Sequence, residues 1–143
     1  MWKILLVAGL VSTGATGAAA DAITYPIAPI ISATGNVQEL FAFQVREALK
    51  ASHTFRYTTS SDLGFHLRLS MMNGPSPVQF IVYSFTMTFQ YKDAGGELVE
   101  AFLDTDPGYC GVTITQSCAQ TIVARASEDA EKLMEAAAKP TLH

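Results

Sequence analysis

Residues 78–91, VQFIVYSFTMTFQY, carry a large apolar side chain at every second position. Ile81, Tyr83, Phe85, Met87 and Phe89 share one parity; Ser84, Thr86, Thr88 and Gln90 share the other. A period of two belongs to a strand with one face buried and one face wet. The same period runs through LGFHLRLSMM (63–72), where Leu63, Phe65, Leu67, Leu69 and Met71 alternate with Gly64, His66, Arg68 and Ser70. FRYTT (55–59) reads as a shorter strand with Phe55 and Tyr57 on one side. In LVEAFLDT (98–105) both parities hold apolar residues, which leaves the facing open. Ile23 to Ile27 reads as an edge strand inside an extended leader at 21–35, because Pro26 and Pro29 cannot donate to a ladder. NGPSP (73–77) and KDAGGE (92–97) are turn chemistry, and connections this short favour antiparallel neighbours.

Two stretches follow the helical period instead. In NVQELFAFQVREALKAS (36–52), Val37, Leu40, Phe41, Val45, Ala48 and Leu49 form one stripe. Asn36 and Glu39 stand where a cap and its box partner would. From SCAQ (117–120) onward, Ala119, Ile122, Val123, Ala126, Ala130, Leu133, Met134 and Ala137 form a second stripe that Pro140 stops. Ser117 and Gln120 resemble a capping box, placing Cys118 at the first helical position. The expectation is an α+β two-layer sandwich: an antiparallel sheet of four to five strands covered on one face by two helices, forming one domain over 36–139.

Length and charge narrow the picture. A chain of 143 residues has room for one core. A net charge of −4, with acids and bases intermixed, supplies neither the basic stripe of a nucleic-acid binder nor a patch for anionic lipid. Residues 1–20 read as a cleaved export signal: Lys3, the apolar run Ile4 to Val11, then small residues ending Ala18-Ala19-Ala20. That run is far shorter than the roughly 20 residues a spanning helix needs. The mature chain is therefore expected to be soluble, periplasmic or secreted, and not inserted in a membrane. In such a compartment Cys110 and Cys118 are expected to form a disulfide. Their spacing is wider than a redox C-x-x-C, and no neighbouring ligands complete a metal set.

Candidate chemistry is sparse. No P-loop, G-x-S-x-G, H-E-x-x-H or dinucleotide fingerprint occurs, and nothing asks for a cofactor or metal. His53 lies in a connection and His143 ends the chain. His66 lies on the wet parity of its strand beside Arg68, within reach of Ser84, Thr86 and Thr88 across the sheet. These five residues form a candidate face for binding a partner, or simply a solvated surface. Asp104 and Asp106 have carboxylates on one side of an extended segment, a spacing open to Ca²⁺ or to an acid pair. Asp106-Pro107-Gly108 reads more simply as a turn.

The succession of VQELFAFQVREALKAS, FRYTTSSDLGFHLRLSM and the final helix, behind an export signal, resembles small periplasmic α+β envelope accessory proteins. Auxiliary components of lipid ABC transporters and lipopolysaccharide-assembly lipoproteins are examples. Asp21 stands where those proteins carry their lipid-bearing cysteine. The resemblance implies a non-enzymatic envelope role with a protein partner. Two other readings stand beside it: a carrier holding a small apolar ligand between helices and sheet, and a small hydrolase built on His66, Arg68 and Asp104.

Overall fold

The computed structural model describes residues 22–59 and 63–140. The expected signal at 1–20, Asp21 and His143 lie outside the described residues. The elements are β1 (Tyr25–Ile31), α1 (Asn36–Lys50), β2 (Phe55–Tyr57), β3 (Gly64–Asn73), β4 (Phe80–Lys92), β5 (Leu98–Gly111) and α2 (Thr115–Ala138). They form an α+β sandwich of one five-stranded sheet, ordered β2-β1-β3-β4-β5, with both helices packed on one face.

β3, β4 and β5 form the antiparallel meander that their short turns require. β1 corrects the sequence reading. It lies second from the edge, not at it, and pairs in parallel with both β2 and β3. The parallel β1–β2 pair is possible because α1 supplies the crossover between them. The prolines survive there because each faces a gap. Tyr25 donates to Thr54 O and Ile27 O accepts from Thr58, so odd positions of β1 face β2. Pro29 shares that parity but lies past the last β2 pair, Ile27↔Tyr57. Pro26 faces the β3 side ahead of that ladder's first pair, Ile27↔Phe65. Gly64 accommodates it: φ is +108°, and a Cβ there would lie 2.7 Å from Pro26 Cγ.

The alternation of β4 sorts as expected. Ile81, Phe85 and Met87 are fully buried with Phe65, Leu67 and Leu69 of β3, and Tyr83 and Phe89 pack against the same core. Phe41, Val45 and Leu49 of α1 and Ala119, Ile122, Ala126 and Ala130 of α2 close over them. Fully burying a large apolar side chain contributes about 1.5–3 kcal/mol, which makes this layer the main stabilising term.

Both helix starts differ from the capping boxes read in the sequence. α1 is preceded by Gly35 at φ +81°, with no side-chain cap. Gln38 is buried instead, its Oε1 accepting from Thr34 N–H at 2.9 Å and its Nε2 donating to Asn73 Oδ1 at 3.1 Å. This turns the stripe so that Val37 and Leu40 are exposed. α2 begins at Thr115, before Ser117, because the tight turn closed by Ile114 N–H to Gly111 O starts it early. The Cys110–Cys118 disulfide forms as expected and ties the end of β5 to the first turns of α2.

β5 resolves the segment whose facing was open. The β4–β5 register shifts between Met87↔Asp104 and Thr88↔Phe102, leaving Leu103 as the extra residue of a bulge. Parity therefore changes along β5, which a period-of-two reading cannot follow. Asp106-Pro107-Gly108 is not a turn; it continues the strand. Pro107 is tolerated on the outermost strand, and a Cβ on Gly108 would lie 2.5 Å from the Tyr83 ring.

Reduction is expected to lower the melting temperature by about 10 °C, from a ring-closure contribution of about 2.5 kcal/mol. Calorimetry with and without reductant checks this, and an unchanged transition refutes it. Gly64→Ala is expected to cost about 1–3 kcal/mol in denaturant unfolding, because the added Cβ needs both a left-handed backbone and Pro26's space. A loss within 0.5 kcal/mol, the range of an ordinary surface change, contradicts the close approach of β1 and β3.

Candidate functional site

The helices occupy one face of the sheet; the other carries a polar strip and an apolar groove. In the strip, β3 and β4 set His66 opposite Thr88, Arg68 opposite Thr86 and Ser70 opposite Ser84. Thus His66, Arg68, Ser84, Thr86 and Thr88 do share a face. They are not equally available. His66 is only 5% exposed, set between Ala28 and Thr88, so the expected solvent-facing histidine is in fact buried. Thr88 is also buried, and its hydroxyl donates to Glu100 Oε1 at 2.7 Å. Arg68 joins the same oxygen at 3.2 Å. The Thr88 hydroxyl and then Arg68 hold the Glu100 carboxyl below its ordinary range. Thr105 extends the strip, its hydroxyl 3.1 Å from that of Thr86 and 3.4 Å from that of Ser84.

At the β3–β4 hairpin end the strip gives way to an apolar groove of about 830 Å³, walled by Val78, Phe80, Val82, Pro107 and Tyr109. Tyr109 is 81% exposed, and Met72 beside Val82 is 63% exposed. Sequence reading missed Glu100, Thr105, Pro107 and Tyr109. The bulge hid the facing of β5, and the Asp-Pro-Gly signal removed its second half from the strand.

Asp104 lies on the other side. It pairs with Met87, whose side chain is in the core, while His66 and Arg68 face away from the helices. The sheet therefore separates the three residues of the hydrolase reading. The Asp104 carboxylate accepts from Thr105 N–H, and Asp106 forms an ion pair with Arg125 of α2. Asp129 of α2 is largely buried, and among the described residues its Oδ2 has no hydrogen-bond partner. Burial first, then the neighbouring charge of Asp104, pushes its carboxyl up.

No known protein-family profile matches the chain, and no curated protein matches it. Among solved structures, a minor lipoprotein from Acinetobacter baumannii shares 14% identity over 75% of this chain and 93% of its own, with a TM-score of 0.35. Similarity at that level carries no argument about this fold or its work.

Asp129 generates a pH prediction. Because its folded-state carboxyl is raised, its ionised form costs stability, and that cost is relieved as pH falls through the raised value toward the ordinary aspartate range. Asp129→Asn keeps the side chain's shape and removes the charge that burial and Asp104 disfavour, so it is expected to stabilise the fold modestly at pH 7. The gap between variant and wild type should narrow at pH 4. Thermal unfolding at both pH values checks this; a destabilised variant at pH 7 contradicts it.

Proposed function

We propose that this chain is an exported, non-enzymatic accessory module of the bacterial envelope that binds a protein partner on the uncovered face of its sheet. The observation that supports it most is the composition of that face. An exposed tyrosine and an apolar groove adjoin a strip of hydroxyls and one Arg–Glu pair. Protein-binding patches combine an apolar, aromatic centre with a polar rim, whereas isolated exposed apolar residues are ordinary. Arg68, Ser84 and Thr86 supply the rim, while His66 and Thr88 support it from beneath. The export signal read at residues 1–20 supports the compartment.

A tagged mature chain is expected to capture a specific protein from an envelope fraction. Val82→Asp and Tyr109→Ser should each reduce that capture about tenfold or more, as truncated interface anchors do. Tyr109 is largely exposed and Val82 about one-third exposed on an inner strand, so unfolding free energy should fall by less than about 0.5 kcal/mol in Tyr109→Ser and by about 1 kcal/mol in Val82→Asp. Undiminished capture of the same protein by both folded variants contradicts the reading. So does hydrolysis of a generic ester, glycoside or peptide by the mature protein that disappears in His66→Ala.

A further inference from the structure

One end of the molecule is almost free of charge. Ala22 to Gln38, Leu69 to Tyr91 and Pro107 to Ala124 contain no charged side chain. The fold brings the middles of these three stretches together. β1 ends beside β3 at Ile31↔Leu69, β3 turns into β4 beyond Asn73↔Ile81, and β5 leads into α2 beyond Phe80↔Gly111. Gln38 ties the start of α1 to the hairpin through Asn73. Val112 N–H donates to Gln79 O at 3.4 Å and holds the β5–α2 turn beside the same hairpin. Among the described residues, Glu39 is the only charged group on these connections and the first turns of the two helices.

The same end is apolar. Val37 and Leu40 are exposed neighbours on α1, three residues apart and so on one side of the helix. Val78 in the hairpin is 59% exposed, and Ile114 in the β5–α2 turn is 54% exposed. Val37, Val78, Phe80 and Val112 wall one recess, which makes the three connections a continuous surface. Ile114 adjoins it, since a Cβ on Gly111 would lie 3.6 Å from Ile114 Cγ1 and Gly111 pairs with Phe80. The opposite end carries charge: Lys92, Asp93 and Glu97 around the β4–β5 turn, and Glu131, Glu135 and Lys139 late in α2 and just past it. The molecule is therefore amphipathic along its length.

What such an end fits follows from its size and its lack of charge. A standard protein interface engages about 20–30 residues a side and draws on aromatic residues and Arg. Val37, Leu40, Val78 and Ile114 are aliphatic, and no cation stands among them. A second copy seated on this end alone would bury too little to persist. A bilayer asks for no matching shape: each aliphatic group that enters it contributes separately, whereas a charge carried in is costly. No helix among the described residues is long and apolar enough to cross a membrane, so contact of this kind is peripheral. We propose that this end docks reversibly on a zwitterionic phospholipid surface. Val78 and Ile114 enter the acyl boundary with Val37 and Leu40 beside them, and the charged end stays in water. A net charge of −4 adds no attraction to anionic lipid. Docking does not depend on the partner surface proposed at Val82 and Tyr109.

Tryptophan fluorescence with phosphatidylcholine vesicles tests this. Trp2 is the chain's only tryptophan and falls in the expected signal, so Val78→Trp gives the mature protein a single reporter. Its emission is expected to move to shorter wavelength on adding vesicles, and brominated acyl chains should quench it. The shift should persist at about 1 M salt, where the screening length is about 3 Å. Ile23→Trp, at the opposite end and also exposed, should show neither change. Adding Ile114→Asp to Val78→Trp should weaken vesicle partitioning about tenfold or more. Ile114 occupies the cap position of α2, which Asp favours, so the fold should hold. Circular dichroism checks that, and the comparison of Val78→Trp with Ile23→Trp decides the matter if it does not. Unchanged emission of Val78→Trp at millimolar lipid overturns the inference. So does an equal shift from Ile23→Trp, loss of the shift in salt, or a lipid-free dimer in sedimentation that Ile114→Asp dissociates. Capture of an envelope protein should survive Ile114→Asp; its loss, with vesicles leaving Val78→Trp unchanged, assigns this end to the protein partner instead.

Discussion

The whole molecule depends on one buried layer, in which the odd-numbered side chains of β3 and β4 meet the stripes of both helices. Ile81, Phe85 and Met87 lie between Phe65, Leu67 and Leu69 on one strand and Cys110 on another, all inaccessible or nearly so. Because side chains alternate at a period of two, filling this side commits every even position to the other. Ala119, Ala126 and Ala130 let α2 lie close to the sheet and to α1 without displacing the large residues beneath. The disulfide then fixes where α2 begins relative to β5. With both helices on one side, the second face of the sheet has no covering element among the described residues.

The edges of the sheet are managed by residues that look like strand breakers. Pro26 and Pro29 occupy β1 where only one of its two neighbours is paired, β2 beside Pro26 and β3 beside Pro29. On the outermost strand, Pro107 has no N–H to offer, the Thr105 N–H is taken by the Asp104 carboxylate, and Leu103 breaks the register. Long edge strands invite pairing with other chains, and these three features blunt β5 against it. The edge is thereby closed to strand pairing, and the uncovered face is the surface proposed above for a partner. Tyr109, Val82 and Met72 are exposed on that face beside the Arg68–Glu100 pair.

Much of this could be read from the residues, and the failures share a cause. The alternation in 63–72 and 78–91 is a local signal, so β3, β4 and the buried row were legible. The stripe of α2 was equally plain, and the cysteine pair was expected from the export signal read at residues 1–20. What escaped was set by partners distant in sequence. The place of β1 depends on where β2 ends and β3 begins, which no local pattern in YPIAPII records. Gln38 displaced the expected cap because Asn73, 35 residues away, holds its amide. The bulge at Leu103 reversed the parity of β5, so Glu100 and Thr105 joined the polar strip unannounced and Asp104 left His66. Burial of His66 likewise reflects its cross-strand neighbours and not its own strand's alternation.

A sheet with one helix-covered side and one uncovered side accounts for the polar strip, the apolar groove and the separation of the candidate catalytic groups. Methionine reactivity tests that division directly, since Met72 and Met87 occupy opposite faces at 63% and 0% exposure. Peptide mapping after mild peroxide treatment of the isolated native protein should find Met72 converted to its sulfoxide while Met87 stays intact until denaturant is added. Equal oxidation of the two residues, or protection of Met72 alongside Met87, would contradict a sheet covered on one face alone.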